Sequence, residues 1–167
     1  MRSASRGLAN EWDGAGFPDD FRDFIRALNK NAVEYLLVGG YAVGMYGHVR
    51  ATTDIDFFYR TTPENIARLV DAMTTFGAPE SVIDRDHLAR SDAVTAFGAP
   101  PTRIDLLASI SGVTFEEAQV DLVAVMLSGE RLPVIGLAAL RANKKASGRK
   151  QDRDDLKRLP VVIAKQK

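Results

Sequence analysis

The chain has 167 residues and no cysteine, which excludes disulfides, cysteine-ligated zinc and thiol catalysis. Its 22 basic and 22 acidic side chains give a formal net charge of zero, which disfavours a sequence-blind nucleic-acid binder because such proteins usually carry a basic excess. No apolar run reaches the roughly 18 residues of a membrane span, so the sequence predicts a soluble, cytoplasmic protein without membrane partners.

The length suits one ordinary domain. Residues 1–17, which show no apolar periodicity, are predicted to be a flexible tail; a short arm packed through Trp12 is the alternative. Residues 18–160 are predicted to form a single domain that ends in helices, and 161–167 a second tail.

The predicted elements follow from apolar periodicity and from Gly and Pro punctuation. In chain order they are a helix opening at Pro18 and capped by Asp19 or Asp20, strand 35–38, short helix 41–46, strand 54–59, a helix from Pro63 to Phe76, strand 93–97, strand 103–107, two short strands within 119–126 and 131–135, and helices 136–147 and 151–159. The stretch 81–90 is ambiguous. This order predicts an α/β (α+β) fold, with a small mixed β-sheet flanked by helices.

Three aspartates are candidates for a metal site. Asp54 and Asp56 are two residues apart on a predicted strand, so their side chains point to the same face. Two carboxylates at such short range repel each other unless a cation lies between them, and Mg²⁺ (or Mn²⁺) prefers hard oxygen ligands of this kind. Asp105 lies within another apolar strand, where a lone charge is costly. The alternatives are a solvated strand face for the pair and an ion pair with Arg103 for Asp105.

Gly39 and Gly40 end the predicted strand 35–38 and precede a helix. Glycines there allow close approach of a ligand to the backbone, and a helix N-terminus offers free N–H groups to phosphate oxygens. The sequence around them is neither a P-loop nor the dinucleotide-binding fingerprint. Alone, the pair is equally typical of a tight turn.

Taken together, Val38-Gly39-Gly40 is followed 14 positions after Gly40 by Asp54-Ile55-Asp56, with Asp105 on a later strand. This order resembles the signature of the nucleotidyltransferase superfamily related to DNA polymerase β. Within it, the stretch 35–56 is similar to AbiEii-like and minimal bacterial nucleotidyltransferases. The resemblance covers most of residues 21–159 and implies the nucleotidyltransferase fold. It also implies that the two glycines hold a triphosphate while the three aspartates bind metal and catalyse transfer.

The C-terminal run from Asn143 to Leu156 is similar to a closing motif of the same group, with matches at Lys144, Arg149 and Asp152. The two cations would neutralise the triphosphate or the leaving pyrophosphate, and Asp152 would hold one of them in place. The alternative is a solvated, charge-rich helix pair. Arg50 and Thr53 are further candidates for nucleotide contact, with loop structure as their alternative role.

The resemblance implies a metal-dependent enzyme that moves a nucleoside monophosphate from an NTP to an acceptor and releases pyrophosphate. The acceptor is open between tRNA or other RNA, a protein and a small molecule. A non-catalytic nucleotide-binding component of a toxin–antitoxin pair, with a cognate toxin or antitoxin as its partner, is the first alternative, and a phosphohydrolase is the second. Neither His48 nor His87 has a partner at metal-ligand spacing, so no zinc site is predicted.

Overall fold

The computed structural model describes residues 11–12 and 16–161. Its α-helices are α1 (Asp19–Lys30), α2 (Gly39–Met45), α3 (Pro63–Phe76), α4 (Arg85–Leu88), α5 (Phe115–Gln119), α6 (Leu137–Ser147) and α7 (Lys150–Arg158). Its strands are β1 (Glu11–Trp12), β2 (Tyr35–Val38), β3 (Asp54–Tyr59), β4 (Val94–Phe97), β5 (Arg103–Leu107), β6 (Val123–Leu127) and β7 (Glu130–Val134). None of the helices within these ranges combines the length and apolar character needed to cross a bilayer.

One mixed sheet joins the strands in the order β1-β6-β7-β2-β3-β5-β4. The two central strands, β2 and β3, are antiparallel, whereas β2 pairs with β7 and β3 pairs with β5 in parallel. All four residues of β2 are buried, as its continuous apolar run predicts. The predicted α/β (α+β) class, a mixed sheet flanked by helices, is confirmed.

Two local predictions differ from the structure, and one helix was not predicted. The N-cap of α1 is Pro18, without a side-chain cap; the predicted caps Asp19 and Asp20 lie instead in the first turn, where the helix dipole favours negative charge. Helix α2 begins at Gly39, two residues before its predicted start. The segment before β6 is the helix α5, and its missed signal was the capping box of Thr114 and Glu117.

Part of the predicted N-terminal tail belongs to the folded structure. Glu11–Trp12 pairs in parallel with β6, and Phe17 is buried in edge-to-face contact with Phe21 and Tyr41 at centroid distances of 5.6 and 5.5 Å. The described core therefore includes Phe17, one residue before the predicted domain boundary. The rest of that tail, the Trp12 side chain and residues 162–167 lie outside the described residues.

Candidate metal centre

The parallel pairing of β3 with β5 brings the three aspartates together. In its register Asp56 lies opposite Asp105 and Asp54 lies opposite Arg103. Because side chains alternate along a strand, these four side chains share one face while Ile55 and Ile104 enter the core. One carboxylate oxygen from each aspartate lies within 4.8 Å of the others. The Asp54–Asp56 pair and the separately predicted Asp105 thus come together because of the register between β3 and β5.

Gly39 follows Val38, whose partner across the β2–β3 pair is Asp56. Its φ is +71°, a conformation that residues with a Cβ rarely adopt. A Cβ at this position would lie only 2.1 Å from Oδ2 of Asp56. Glycine is therefore required both for the turn and for the position of the Asp56 carboxylate.

Arg103 supplies a cation to the acidic cluster from within the chain. Its Nε and Nη2 donate to the two oxygens of Asp105 at 2.8 and 2.9 Å, and Nη2 also lies 3.5 Å from Oδ2 of Asp54. The ion pair with Arg103, which is the alternative role of Asp105, is thus present. Its forked geometry is a strong one for an arginine–carboxylate pair. A metal ion held by all three aspartates would share Asp105 with this guanidinium.

The carboxyl groups of the cluster have divergent pKa values. Burial, together with repulsion by Asp54 and Asp105, raises the pKa of Asp56 to about 7 against partial opposition from Lys144. Burial and the neighbouring Asp105 also raise the pKa of Asp54. Burial works in the same direction on Asp105, but the hydrogen bonds and charge of Arg103, together with hydrogen bonding to Asp54 and Asp56, outweigh it and lower its pKa. The cluster as a whole resists carrying three negative charges without further cations.

The raised pKa of Asp56 predicts that the metal-free protein loses stability as pH rises. Asp56 ionises near pH 3.8 in the unfolded chain and near 7 in the folded one, so between these values the folded state binds more protons and unfolding becomes easier with each increase in pH. Asp56→Asn removes this effect. Its Tm in EDTA should exceed that of the wild type by roughly 5 °C at pH 8, and by clearly less at pH 5, as measured by circular dichroism. An equal difference at the two pH values would contradict the assignment.

Lys144 on α6 and two acids on α7 form a second charged cluster. The Lys144 ammonium is buried, 3.1 Å from an oxygen of Asp152 and 3.1 Å from one of Asp155. Asp152 also accepts a 2.9 Å hydrogen bond from Nε of Arg149. Despite its burial, these donors and Ser147 lower the pKa of Asp152 to about 2. Asp152 therefore holds both predicted cations, not one.

Arg50 connects α7 to the glycine turn. Its guanidinium donates to both oxygens of Asp155 at 2.9 and 3.1 Å, and its Nη1 lies 3.1 Å from where a Cβ of Gly40 would be. The neighbouring Thr52 donates through Oγ1 to the Asp54 carbonyl oxygen at 3.0 Å. Thr53 interacts with the Asp54 carboxylate but does not border the cavity described next.

A cavity of about 780 Å³ opens above the aspartates, and we call it the basin. Of the predicted site residues, the following line it: Gly39, Gly40, Arg50, Asp54, Asp56, Asp105, Lys144, Arg149 and Asp152. Thr53 is the exception. Sequence reasoning missed Thr52, Ser109, Ser111, Asn143 and Gln151, which also line it. Ser109 and Ser111 come two and four residues after the end of β5, a position that could have suggested them, whereas the others carried no signal beyond adjacency to predicted residues.

The residues of the basin fit a divalent cation. Oxygens that share one Mg²⁺ ion at about 2.1 Å lie roughly 3–4 Å apart, close to the separation within the cluster. The ligand atoms are hard carboxylate oxygens, and the close packing of Gly39 against Asp56 fixes one of them. Small side-chain movements of Asp54 and Asp105 would complete the site.

Comparisons with known proteins give no family for the chain. No protein-family model matches it, and no curated protein matches it either. The functional conclusion therefore depends on the geometry of the basin and on the resemblance of the glycine–aspartate pattern.

Proposed function

We propose that the protein is a metal-dependent nucleotidyltransferase that moves a nucleoside monophosphate from an NTP to an acceptor hydroxyl and releases pyrophosphate. The observation that carries the proposal is the contact between Gly39 and Asp56, which belong to the two parts of the motif and lie 17 positions apart in sequence. Gly39, at the end of β2, has no room for a Cβ because Asp56 lies against it. A phosphate at the glycine turn would therefore be next to the carboxylates.

The charges around the basin support a polyphosphate substrate. Asp54, Asp56 and Asp105 would hold Mg²⁺ or Mn²⁺, which when bound would neutralise phosphate oxygens and favour in-line displacement. Lys144 and Arg149 line the same basin, and Arg149 is largely exposed, with a side-chain exposure of 77%. A cavity lined by both metal-binding acids and cations suits a ligand whose phosphates contact the metal and the cations together.

The reaction forms one bond and breaks one. The acceptor hydroxyl oxygen attacks the α-phosphorus, and the bond between that phosphorus and the oxygen bridging to the β-phosphate breaks. Pyrophosphate leaves with the electron pair, and the hydroxyl proton passes to a carboxylate of the cluster and then to solvent. Arg149 and Lys144, which line the same basin, would stabilise the charge that develops on the leaving pyrophosphate.

The proposal is tested by following which phosphate of a labelled NTP is transferred to the acceptor. The full chain is incubated with Mg²⁺ or Mn²⁺, each of the four NTPs labelled at the α- or the γ-phosphate, and separate RNA, protein and small-molecule fractions of a cell extract. We expect an α-labelled acceptor and released pyrophosphate. Transfer of γ-label, or release of inorganic phosphate alone, would instead indicate a kinase or a phosphohydrolase. Nucleotide binding without turnover for every NTP and every fraction would contradict the proposal.

Matched variants keep the assay specific. Asp54→Asn with Asp56→Asn should lower transfer by roughly 100-fold or more, since each substitution removes a carboxylate that would hold the metal at the reacting phosphates. Asp71→Asn with Asp86→Asn makes the same change in charge at exposed positions outside the basin and should leave transfer unchanged.

A further inference from the structure

The basic side chains that line the basin fall into two groups according to their partners. Three of them pair with the buried acids of α7, namely Arg50, Lys144 and Arg149. Arg103 pairs instead with Asp105 and Asp54, which are predicted metal ligands. Among the residues that the structure describes, Arg103 is thus the one cation of the basin whose ion pairs involve the carboxylates of the candidate metal centre.

The two ion pairs of Arg103 differ in strength. The pair with Asp105 is a fork, because Nε and Nη2 donate to separate oxygens at 2.8 and 2.9 Å. The pair with Asp54 is a single contact of 3.5 Å from Nη2, which lies beyond the usual range of a hydrogen bond. The Asp54 side chain is also the more exposed of the two, at 26% against 9%. Asp54 is therefore the partner that Arg103 can exchange for another anion.

Arg103 also has hydrogen-bond donors to spare. A guanidinium carries five N–H groups in a fixed plane, and those of Nε and Nη2 face the two aspartates. Its Nη1 forms no hydrogen bond within residues 11–12 and 16–161. The side chain is 42% exposed and lines the basin. Nη1 and Nη2 can therefore form a second fork with an anion in the basin while the fork with Asp105 stays intact.

We propose that Arg103 couples NTP binding to divalent-cation binding by exchanging Asp54 for a phosphate of the NTP. This inference rests on the proposed function. While the guanidinium contacts Asp54, it neutralises part of that carboxylate's charge and repels a second cation from it. Once a phosphate accepts hydrogen bonds from Nη1 and Nη2, Asp54 is released as a full cation ligand, and Asp105 stays fixed by its fork. Each of the two ligands then raises the affinity of the protein for the other.

A purely structural role for Arg103, in which it only orients Asp105, predicts the opposite effect of Arg103→Met on Mn²⁺ binding. If Arg103 competes with the cation, its removal leaves three unopposed carboxylates and should strengthen Mn²⁺ binding at least about fivefold. If Arg103 only orients Asp105, its removal loosens one ligand and should weaken Mn²⁺ binding by roughly tenfold or more. The direction of the change therefore distinguishes the two roles.

Binding measurements on the full chain test the proposal without turnover. Isothermal titration gives the affinity for Mn²⁺ alone and for inorganic tripolyphosphate alone in EDTA, and equilibrium dialysis with both gives their coupling. Tripolyphosphate is the probe because it presents the phosphates of an NTP without a base. Arg103→Met should bind Mn²⁺ more tightly and tripolyphosphate more weakly, and its coupling should be at least about fivefold smaller than that of the wild type. Direct contacts between Mn²⁺ and tripolyphosphate are common to both proteins and cancel in this comparison.

Two further variants complete the test. Arg103→Lys keeps the charge but cannot form two forks, so it should bind Mn²⁺ about as the wild type does and still lose the coupling; it serves the same purpose if Arg103→Met does not fold. Arg85→Met removes a charge at an exposed position outside the basin and should match the wild type throughout.

The inference is overturned if Arg103→Met binds Mn²⁺ more weakly than the wild type, or if the coupling is the same in the wild type and the Arg103 variants. Such a result beside normal transfer of α-label would count only against this role of Arg103. Failure of the wild type to bind tripolyphosphate, with or without Mn²⁺, would count against the proposed function as well.

Discussion

Gly39→Ala is expected to lower the affinity for Mn²⁺ by roughly 100-fold and to destabilise the protein by about 2–4 kcal/mol. The new methyl group would lie 2.1 Å from Oδ2 of Asp56, far inside van der Waals contact. Either the carboxylate or the turn must move, and both movements disturb the cluster. The φ of +71° adds a backbone cost, because only glycine adopts this conformation freely.

Isothermal titration with Mn²⁺ and thermal unfolding in EDTA measure the two effects separately. Gly39→Asn is a useful companion variant because asparagine tolerates a positive φ better than alanine but still carries a Cβ. If Gly39→Asn recovers stability and still loses Mn²⁺, the contact with Asp56 is responsible. Wild-type Mn²⁺ affinity in both variants would contradict the role of this contact.

Gly44→Ala is the matched control within the same helix. A Cβ there meets nothing within 4 Å, and alanine in a helix interior is favoured over glycine by about 0.5–1 kcal/mol. This variant should therefore bind Mn²⁺ as the wild type does and unfold at the same or a slightly higher temperature. The comparison separates a general sensitivity of α2 from the specific requirement at Gly39.

The sequence predicted the centre of the site better than its surroundings, for a physical reason. The positions of Asp54 and Asp56 follow from strand alternation, and the meeting with Asp105 follows from the register of β3 and β5. Strand alternation is a short-range rule that a pattern of apolar residues records, whereas the meeting of the pair with Asp105 was expected only from the resemblance. The mixed sheet flanked by helices was predictable on the same grounds.

The charged periphery follows from long-range packing, which no local pattern records. Arg50 was predicted to contact nucleotide, and the structure pairs it with Asp155, 105 positions away. The net charge of zero gave no information on how charge is distributed, whereas burial of Asp152 and Asp155 leaves α6 and α7 with a basic exterior. Which acids of a charge-rich helix face inward depends on the partners that the fold brings to them.

Asp155→Ala is expected to destabilise the protein by about 3–5 kcal/mol, which corresponds to a decrease in Tm of roughly 10 °C. The carboxylate is fully buried and accepts two hydrogen bonds from Arg50 while Lys144 lies 3.1 Å away. Its removal leaves Arg50 without its partner and Lys144 with Asp152 alone. Asp154→Ala, one residue earlier and exposed, should change stability by no more than about 0.5 kcal/mol.

A double-mutant cycle with Arg50→Met identifies the interaction. If the Arg50–Asp155 pair carries the effect, the double variant should be less destabilised than the sum of the single variants by about 1–3 kcal/mol. Urea unfolding of the four proteins at pH 7 supplies the numbers. Additive losses would mean that Asp155 acts through Lys144 or through packing instead.

The pH dependence of the stability lost on replacing Asp155 independently measures how much the charge of its carboxylate contributes. Although burial alone would raise the pKa of Asp155, hydrogen bonds from Arg50 and Lys144 outweigh it and lower the pKa below its ordinary 3.8. A carboxyl group whose pKa is lower in the folded state stabilises the protein above pH 3.8, and this contribution disappears as pH falls through the folded value. The gap in stability between the wild type and Asp155→Asn should therefore be constant from pH 7 to about 5 and narrow below about 4. If the difference in stability between the wild type and Asp155→Asn persists at acid pH, the effect comes from shape and hydrogen bonding. These are the main properties in which asparagine differs from a protonated aspartate.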